Sequence, residues 1–407
     1  MKTAIIVLAL SLLFLGNSIL CHAASEQVIY TFTGGNDGGN PYAGLILDHS
    51  GKLYGTASQG GAYGYGVVFE LSPGPNGQWT ETVLHSFNLD GQDGVGVYAG
   101  LVMDASGNLY GTTTYGGAYN LGTAFELSPA PNGWTEEILH SFNADGTDGY
   151  NPYDNLVLDV RGNLYGTASN GGAGQEGIVF ELSPNPGGTW QETIIYTFDY
   201  THGGLPLGGL VWDRSGNLYG TTEYGGDYQH GTVFELKHRP KGKWQEIVLH
   251  SFNPNYSDGF LPQCGLAIDK ANRLYGTTLY GGNTFANGAV FEVKRVKGVW
   301  QESVIHSFNN QNDGFYPYGP LAIDSAGRLY GTTWQSYVGG VGGAGIVFQL
   351  SPKKQNWQET ILHQFVNPGD GGNPYSGVVL DNLGNIFGTT YWGGNSGGTG
   401  VVFEVTP

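Results

Sequence analysis

The sequence predicts an all-β fold, a seven-bladed β-propeller of four-stranded antiparallel blades, and three observations carry that prediction. The phrase "GNLYGTTEYGG" at residues 216–226 recurs in seven variants, whose central aromatics are Tyr54, Tyr110, Tyr165, Tyr219, Tyr275, Tyr330 and Phe387, spaced 54 to 57 residues apart. No stretch holds apolar residues at a sustained 3.6-residue period, so helix has no support. The chain ends are complementary: "QVIYTF" (27–32) matches only the end of a fourth strand, and "VVFEV" (401–405) is a third strand lacking its fourth. The N-terminal strand is therefore expected to complete the last blade and leave no open edge.

Taken in order, residues 1–23 read as a secretory signal peptide. Lys2 precedes an apolar run from Ala4 to Leu15, and small residues follow at Ala23 and Ala24. Residues 24–407 are then expected to form a single propeller domain. In the fourth unit the strands read "GLVWD" (209–213), "NLYGTT" (217–222), "GTVFEL" (231–236) and "KWQEIVLHSF" (243–252), with "RSG" and "KHRPKG" as hairpin turns. Alternation in the fourth strand of the first unit puts Trp79, Glu81, Val83, His85 and Phe87 on one face, large enough to pack on a neighbouring blade. The 71 glycines fall at repeating positions between these strands and mark turns and close approaches.

Composition limits the partners. With 34 acidic against 16 basic residues, the formal charge of −18 argues against nucleic acid and anionic membranes. No later window has the roughly 18 unbroken apolar residues of a membrane span. Cys264 is alone once Cys21 leaves with the signal, so no disulfide within the chain is expected.

The phrases "LILDHSGKLYGTASQGG", "VFELSP" and "WTETVLHSF", repeated along residues 24–407, resemble the GloVer tandem repeats, a choice-of-anchor repeat family. The resemblance implies a secreted or surface propeller of unassigned activity. The chain departs from that family in ending at Pro407 without a sorting segment, which leaves surface attachment open. A weaker similarity links "LxxDxxGNLYG" to NHL-type and gluconolactonase-type propellers.

If the first strand of each unit is innermost, the fourth-to-first and second-to-third loops open on one face, here called upper. The former present Tyr42, Tyr98, Tyr153, Tyr318 and Tyr375 just before the inner strand. The latter add Tyr115, Tyr224, Tyr228, Trp334, Tyr337, Tyr391 and Trp392. Flat aromatic faces beside short polar groups suit sugar rings. Trp334, Tyr337 and Trp392 stand out because the repeat does not require them; the repeated tyrosines are also explained by packing under glycine turns. Six Asp-Gly pairs read most simply as aspartates capping their own turns. Calcium remains an option where the carboxylate is doubled, at Asp90 with Asp93 and Asp145 with Asp148. His85, His140, His250, His306 and His363 share one repeat position with Tyr30 and Tyr196, which fits a hydrogen-bonding spacer between blades rather than a catalytic base.

A single active site in a ring must come from residues that break the pattern. In the fourth unit these are His202, Glu223, Asp227 and His230. Glu223, Asp227 and His230 are the candidates for acid and base work on a glycosidic bond or uronate. The leading expectation is a monomeric, non-catalytic module binding extracellular glycan without cofactor. A polysaccharide hydrolase or lyase and a protein-binding envelope scaffold are the alternatives.

Overall fold

The computed structural model describes residues 24–407 apart from 256–257, 283–286, 310–312, 355, 367 and 395–396. The expected leader, residues 1–23, lies outside the described residues. Among those described, the architecture is all-β: two single-turn 3-10 segments, Pro75–Gly77 and Pro240–Gly242, are the only helical elements, and no helix is long and apolar enough to cross a membrane.

The units become seven four-stranded antiparallel sheets. Unit 4 has strands Val211–Trp212, Leu218–Thr222, Thr232–Arg239 and Lys243–Ser251. Its inner strand is thus shorter, and its third strand longer, than the sequence suggested. In unit 7 the strands Val379–Leu380, Ile386–Thr390 and Val401–Thr406 are joined by Ser25–Thr31, which pairs antiparallel with Val401–Thr406 from Ser25 opposite Thr406 to Thr31 opposite Val401.

The recurring "LYGTT" has a separate physical reason at each position. Its leucine is wholly buried, as Leu109 and Leu218 show. Its tyrosine is buried with the hydroxyl donating to nearby carboxylates, as Tyr219 does to Asp213 and Glu235 at 3.2 Å. Its glycine lies under the phenylalanine of the third strand. A Cβ on Gly111 would stand 2.7 Å from Phe125 Cζ and 3.1 Å from Leu101 Cδ2. Both neighbours are buried, so Gly111→Ala should cost roughly 1–3 kcal/mol by overpacking; urea unfolding with an unmoved midpoint would refute this account.

The first threonine ties neighbouring units together. Thr56 Oγ1 donates to the Ala99 carbonyl at 2.9 Å, Thr221 Oγ1 to Cys264 at 2.8 Å, and Thr389 Oγ1, in unit 7, to Ala43 of unit 1 at 2.9 Å. Phenylalanines mark the same seams. Phe87 meets Phe125 edge-on at 5.3 Å, Phe365 meets Phe403 at 5.2 Å, and Phe32 meets Phe69 at 5.2 Å. The buried cores accordingly lie between sheets: one joins Ile29, Phe32, Phe387 and Val402 of unit 7 to Leu45, Leu53 and Phe69 of unit 1.

On the upper face the two loop sets of each unit also pair with each other. Gly94–Val95 pairs with Tyr115–Gly116, and Gly259–Phe260 with Tyr280–Gly281. Single bridges do the same work at Gly39 with Gln59, Gly204 with Tyr224 and Gly372 with Trp392. The paired parts of the upper loops are therefore tied to one another by backbone hydrogen bonds.

Candidate functional site

The residues immediately before the inner strands converge on one channel mouth. Tyr42, Tyr98, Tyr153, Leu207, Gln263, Tyr318 and Tyr375 line a cavity of about 380 Å³ that continues down to Asp154, Asn155, Cys264 and Ser376. The residues that precede the first strands of the units thus meet at one cavity.

Five of the seven mouth residues are tyrosines, and they gather on one another. Tyr42 stacks on Tyr375 at 4.7 Å, and Tyr98 stacks on Tyr153 at 5.5 Å. Tyr42 meets Tyr98 and Tyr153 edge-on at 5.4 and 5.8 Å, and Tyr318 lies 5.1 Å from Tyr375. Leu207 and Gln263, from units 4 and 5, interrupt this aromatic ring. Beside the interruption sits Glu223, only 6% exposed, whose Oε1 accepts Gln263 Nε2 at 2.8 Å. Burial raises its carboxyl above the usual range, with the Gln263 hydrogen bond acting against the rise.

The candidate ligand-binding aromatics divide into two sets. Tyr318, Trp334 and Tyr391 belong to the central cluster: Trp334 lies 6.2 Å from Tyr318 and 6.1 Å from Tyr375, and Tyr391 lies 5.4 Å from Tyr375. Tyr115, Tyr224, Tyr228, Tyr337 and Trp392 are exposed. The acid and base candidates do not gather. Asp227 is exposed and its amide donates to Ser251 Oγ at 3.4 Å. The His230 ring lies 5.5 Å from Phe260. Among the described residues no hydrogen bond or ion pair joins either to Glu223.

Asp154 went unnoticed in the sequence. It follows the mouth tyrosine where other units carry Ala43, Ala99, Gly208 or Gly319, so it too breaks the repeat. Its carboxylate accepts the amides of Asn155 at 2.7 Å and Gly209 at 2.6 Å. Enclosure raises its pKa while these donors oppose the rise. Cys264 is buried; desolvation pushes its thiol up to about 11, and Sγ lies 3.0 Å from Thr277 Oγ1. A protonated thiol and a carboxylate occupied by backbone amides give this part of the cavity a polar lining.

The doubled carboxylates proposed for calcium turn apart. Asp90 Oδ1 accepts the amides of Gln92 and Asp93, capping its own turn, and Asp145 does the same with Thr147 and Asp148. Asp93 and Asp148 instead point inward to the repeated histidines: His85 Nε2 lies 3.0 Å from Asp93 Oδ2, and His140 Nε2 lies 3.1 Å from Asp148 Oδ2. Across each seam a glutamate of the next unit completes the group, Glu136 Oε1 lying 3.5 Å from His85 Nε2 and Glu192 Oε2 3.6 Å from His140 Nε2.

Among the described residues, four such His-Asp-Glu groups have ligand atoms within 4.8 Å of one another. An imidazole with two carboxylates is a donor set a divalent cation can use. Asp93 Oδ2, however, also accepts Asn88 N at 2.9 Å and Asn88 Nδ2 at 3.2 Å, which favours a hydrogen-bonded latch between units. Where tyrosine replaces histidine the bond persists, Tyr30 Oη donating to Asp37 at 3.0 Å. At the seam of Tyr196, the pattern-breaking His202 pairs with Asp199 at 3.1 Å.

Four-stranded antiparallel sheets packed side by side, with an aromatic-lined cavity where their leading loops meet, define a propeller-like repeat protein. The chain belongs to the Gloeobacter/Verrucomicrobia repeat family, whose model matches residues 20–211 and 157–403. No curated protein matches the sequence. Among solved structures it is similar to an ancestral GH74 enzyme at 11% identity, covering 90% of this chain and 48% of that one with a TM-score of 0.56. PorZ, an essential surface component of the type-IX secretion system of Porphyromonas gingivalis, is similar at 14% identity, covering 90% of this chain and 46% of that one with a TM-score of 0.50. The extracellular domain described for a hybrid two-component system of B. thetaiotaomicron is similar at 14% identity, covering 93% and 39% with a TM-score of 0.55. The chain spans less than half the length of each, and at these identities the likeness concerns the fold.

Proposed function

We propose that the protein is a secreted, closed seven-bladed propeller that binds an extracellular glycan at its upper channel mouth without catalysis. Closure is supported by the pairing of Ser25–Thr31 with Val401–Thr406 and by the Phe32–Phe69 and Thr389–Ala43 contacts between units 7 and 1. The observation that carries the binding reading is the mouth itself. Tyrosine and tryptophan rings stand beside an amide and a buried carboxylate, above a cavity large enough for a sugar unit. The backbone pairing between described upper-loop residues favours rigid presentation, which lowers the entropic cost of binding.

The test is to incubate the protein with soluble and insoluble neutral polysaccharides and follow its depletion together with new reducing ends or unsaturated uronates. Depletion without products is expected. Tyr318→Ala and Trp334→Ala should each weaken it, by roughly three- to tenfold for a lost stacked ring. Products that vanish in Glu223→Gln would replace this reading with the hydrolase or lyase, for which the buried Glu223 with its raised pKa is the specific support. Neither depletion nor products would leave the protein-binding scaffold.

A further inference from the structure

The Lys and Arg residues of this acidic chain are confined to one face. Between residues 24 and 407, all fifteen, from Lys52 to Lys354, fall in the first-to-second and third-to-fourth turns or the strand ends beside them. In an antiparallel meander both turn sets leave the same end of the sheet, opposite the channel mouth. The upper loops carry none. The cations are also concentrated along the ring: the lower turns of units 4 and 5 hold Arg214, Lys237, Arg239, Lys241, Lys243, Lys270, Arg273, Lys294, Arg295 and Lys297, ten against the four carboxylates Asp213, Glu235, Asp269 and Glu292. Those carboxylates are engaged with only part of the set. Arg273 reaches Asp269 at 2.6 Å and Glu292 at 3.4 Å, Lys294 reaches Glu292 at 2.5 Å, and Arg295 reaches Glu235 at 3.9 Å. Among the described residues Arg214, Lys237, Lys243, Lys270 and Lys297 make no ion pair or side-chain hydrogen bond, and Arg214, Lys243, Lys270 and Lys297 are exposed.

This excess borders two adjoining hollows that share Asp213 and Ser215. One, of about 760 Å³, lies between units 3 and 4 and is lined by Arg161, Arg214, His238, Tyr165, Trp212 and Trp244 together with the carboxylates Asp159, Glu181 and Asp213, Arg161 pairing with Asp159 at 3.2 Å. The other, of about 460 Å³, lies between units 4 and 5 and is lined by Lys237, Arg273, Lys294, Arg295, Tyr219 and Trp300. Trp212 breaks the repeat: its position is Leu47, Met103, Leu158, Ile268, Ile323 or Leu380 in the other units. It lies 4.8 Å from Tyr165 and 6.2 Å from Trp244.

We propose that this lower groove of units 4 and 5 is a second binding site, for a carboxylated or sulfated oligosaccharide. Unpaired cations supply the counter-charge, and indole and phenol rings in the hollows supply apolar faces for sugar rings. The charge distribution selects a thin, short polyanion. A bilayer or duplex would bring its own charge against the surrounding acidic surface, whereas a short chain lying in the hollow between units 4 and 5 meets Lys237, Arg273, Lys294 and Arg295 against Asp213 and Glu235, within about 8–10 Å at physiological salt. The site is independent of the upper channel.

The full protein should bind size-defined oligogalacturonates or chondroitin sulfate oligosaccharides, read by titration calorimetry. Affinity should fall as salt rises from about 50 to about 300 mM. The triple variant Arg214→Gln, Lys243→Gln, Lys297→Gln should bind roughly tenfold more weakly, while Lys353→Gln, Lys354→Gln, on the lower turn of unit 6, should bind as the parent does. These residues are exposed, Lys243 at the first position of its strand and the others in turns, and a thermal melt of each variant checks that folding is unaffected. Equal weakening in both variants, no binding at low salt, or weakening by Tyr318→Ala would overturn the site. Tighter binding to duplex DNA or phosphatidylserine vesicles than to the oligosaccharides would overturn the ligand class.

Discussion

Phe32→Ala should destabilise the protein by about 3–5 kcal/mol, and Phe142→Ala by a similar amount, because each removes a fully buried ring from an equivalent seam. Phe32 packs edge-on against Phe69 at 5.2 Å and Phe142 against Phe180 at 5.1 Å. The two positions differ in one respect. The strand before Phe142 is covalently continuous with the rest of its sheet, whereas the strand before Phe32 joins unit 7 non-covalently, through its pairing with Val401–Thr406 and the hydrogen bonds of Phe32 to Gly400 and Thr399. Equal losses in urea unfolding would mean that the non-covalent seam closes as firmly as the others, with no unpaired edge left on the last sheet. A loss within about 0.5 kcal/mol for Phe32→Ala beside a large loss for Phe142→Ala would mean that the ring is open in solution and that the closure proposed here is wrong.

Much of this arrangement is legible in the amino-acid sequence, for a definite reason. Leu109, Tyr110, Gly111 and Thr112 each answer to a constraint that every unit meets in the same way, so seven copies of one answer stand out against the intervening sequence. The seam groups were less legible. His85 and Asp93 come from one unit and Glu136 from the next, and the repeat names three positions without saying that they touch. The small ladders between upper loops were missed because glycine-rich turns carry no strand pattern, and their pairing is set by tertiary approach. At the site, the tyrosine mouth followed from one aligned position. Glu223, Asp227 and His230 looked like a constellation because they are near in sequence. The tight turn bridged between Gly225 and His230 instead leaves Glu223 buried at the mouth and Asp227 exposed. The basic groove was hidden by the net charge of −18, a sum that conceals the segregation of its terms.

Stability should fall as pH rises from about 5 to about 8, by roughly 5 °C or more in Tm. The cause is the row of glutamates in the seams. Burial, then the neighbouring aspartate, pushes Glu26 and Glu81 up to about 7 from 4.5, with Asp370 and Asp37 as the respective neighbours. Burial likewise raises Glu302 to about 7 beside Asp258, and raises Glu136, Glu192 and Glu359 beside Asp93, Asp148 and Asp313. A carboxyl with a folded-state pKa above its unfolded value stabilises the fold below the unfolded value, here 4.5, and loses that contribution as pH climbs through the folded value. His85 and His140 act in the same direction: burial disfavours their charged forms, but Asp93 and Asp148 outweigh it and raise both. His363, lowered by burial, opposes the trend. Asp48 and Asp324, lowered by hydrogen bonds in their turns, lose their contribution only below about 4. Even heavily discounted for screening, several shifted carboxyls together are worth on the order of 5 kcal/mol. Glu359→Gln should flatten the profile in part, since the amide keeps the shape of the protonated acid and cannot ionise. A Tm constant or rising over this window would show that the seam glutamates are already ionised at pH 5 and compensated by something other than a proton, with a bound cation the first alternative; chelator sensitivity of the Tm would then identify it.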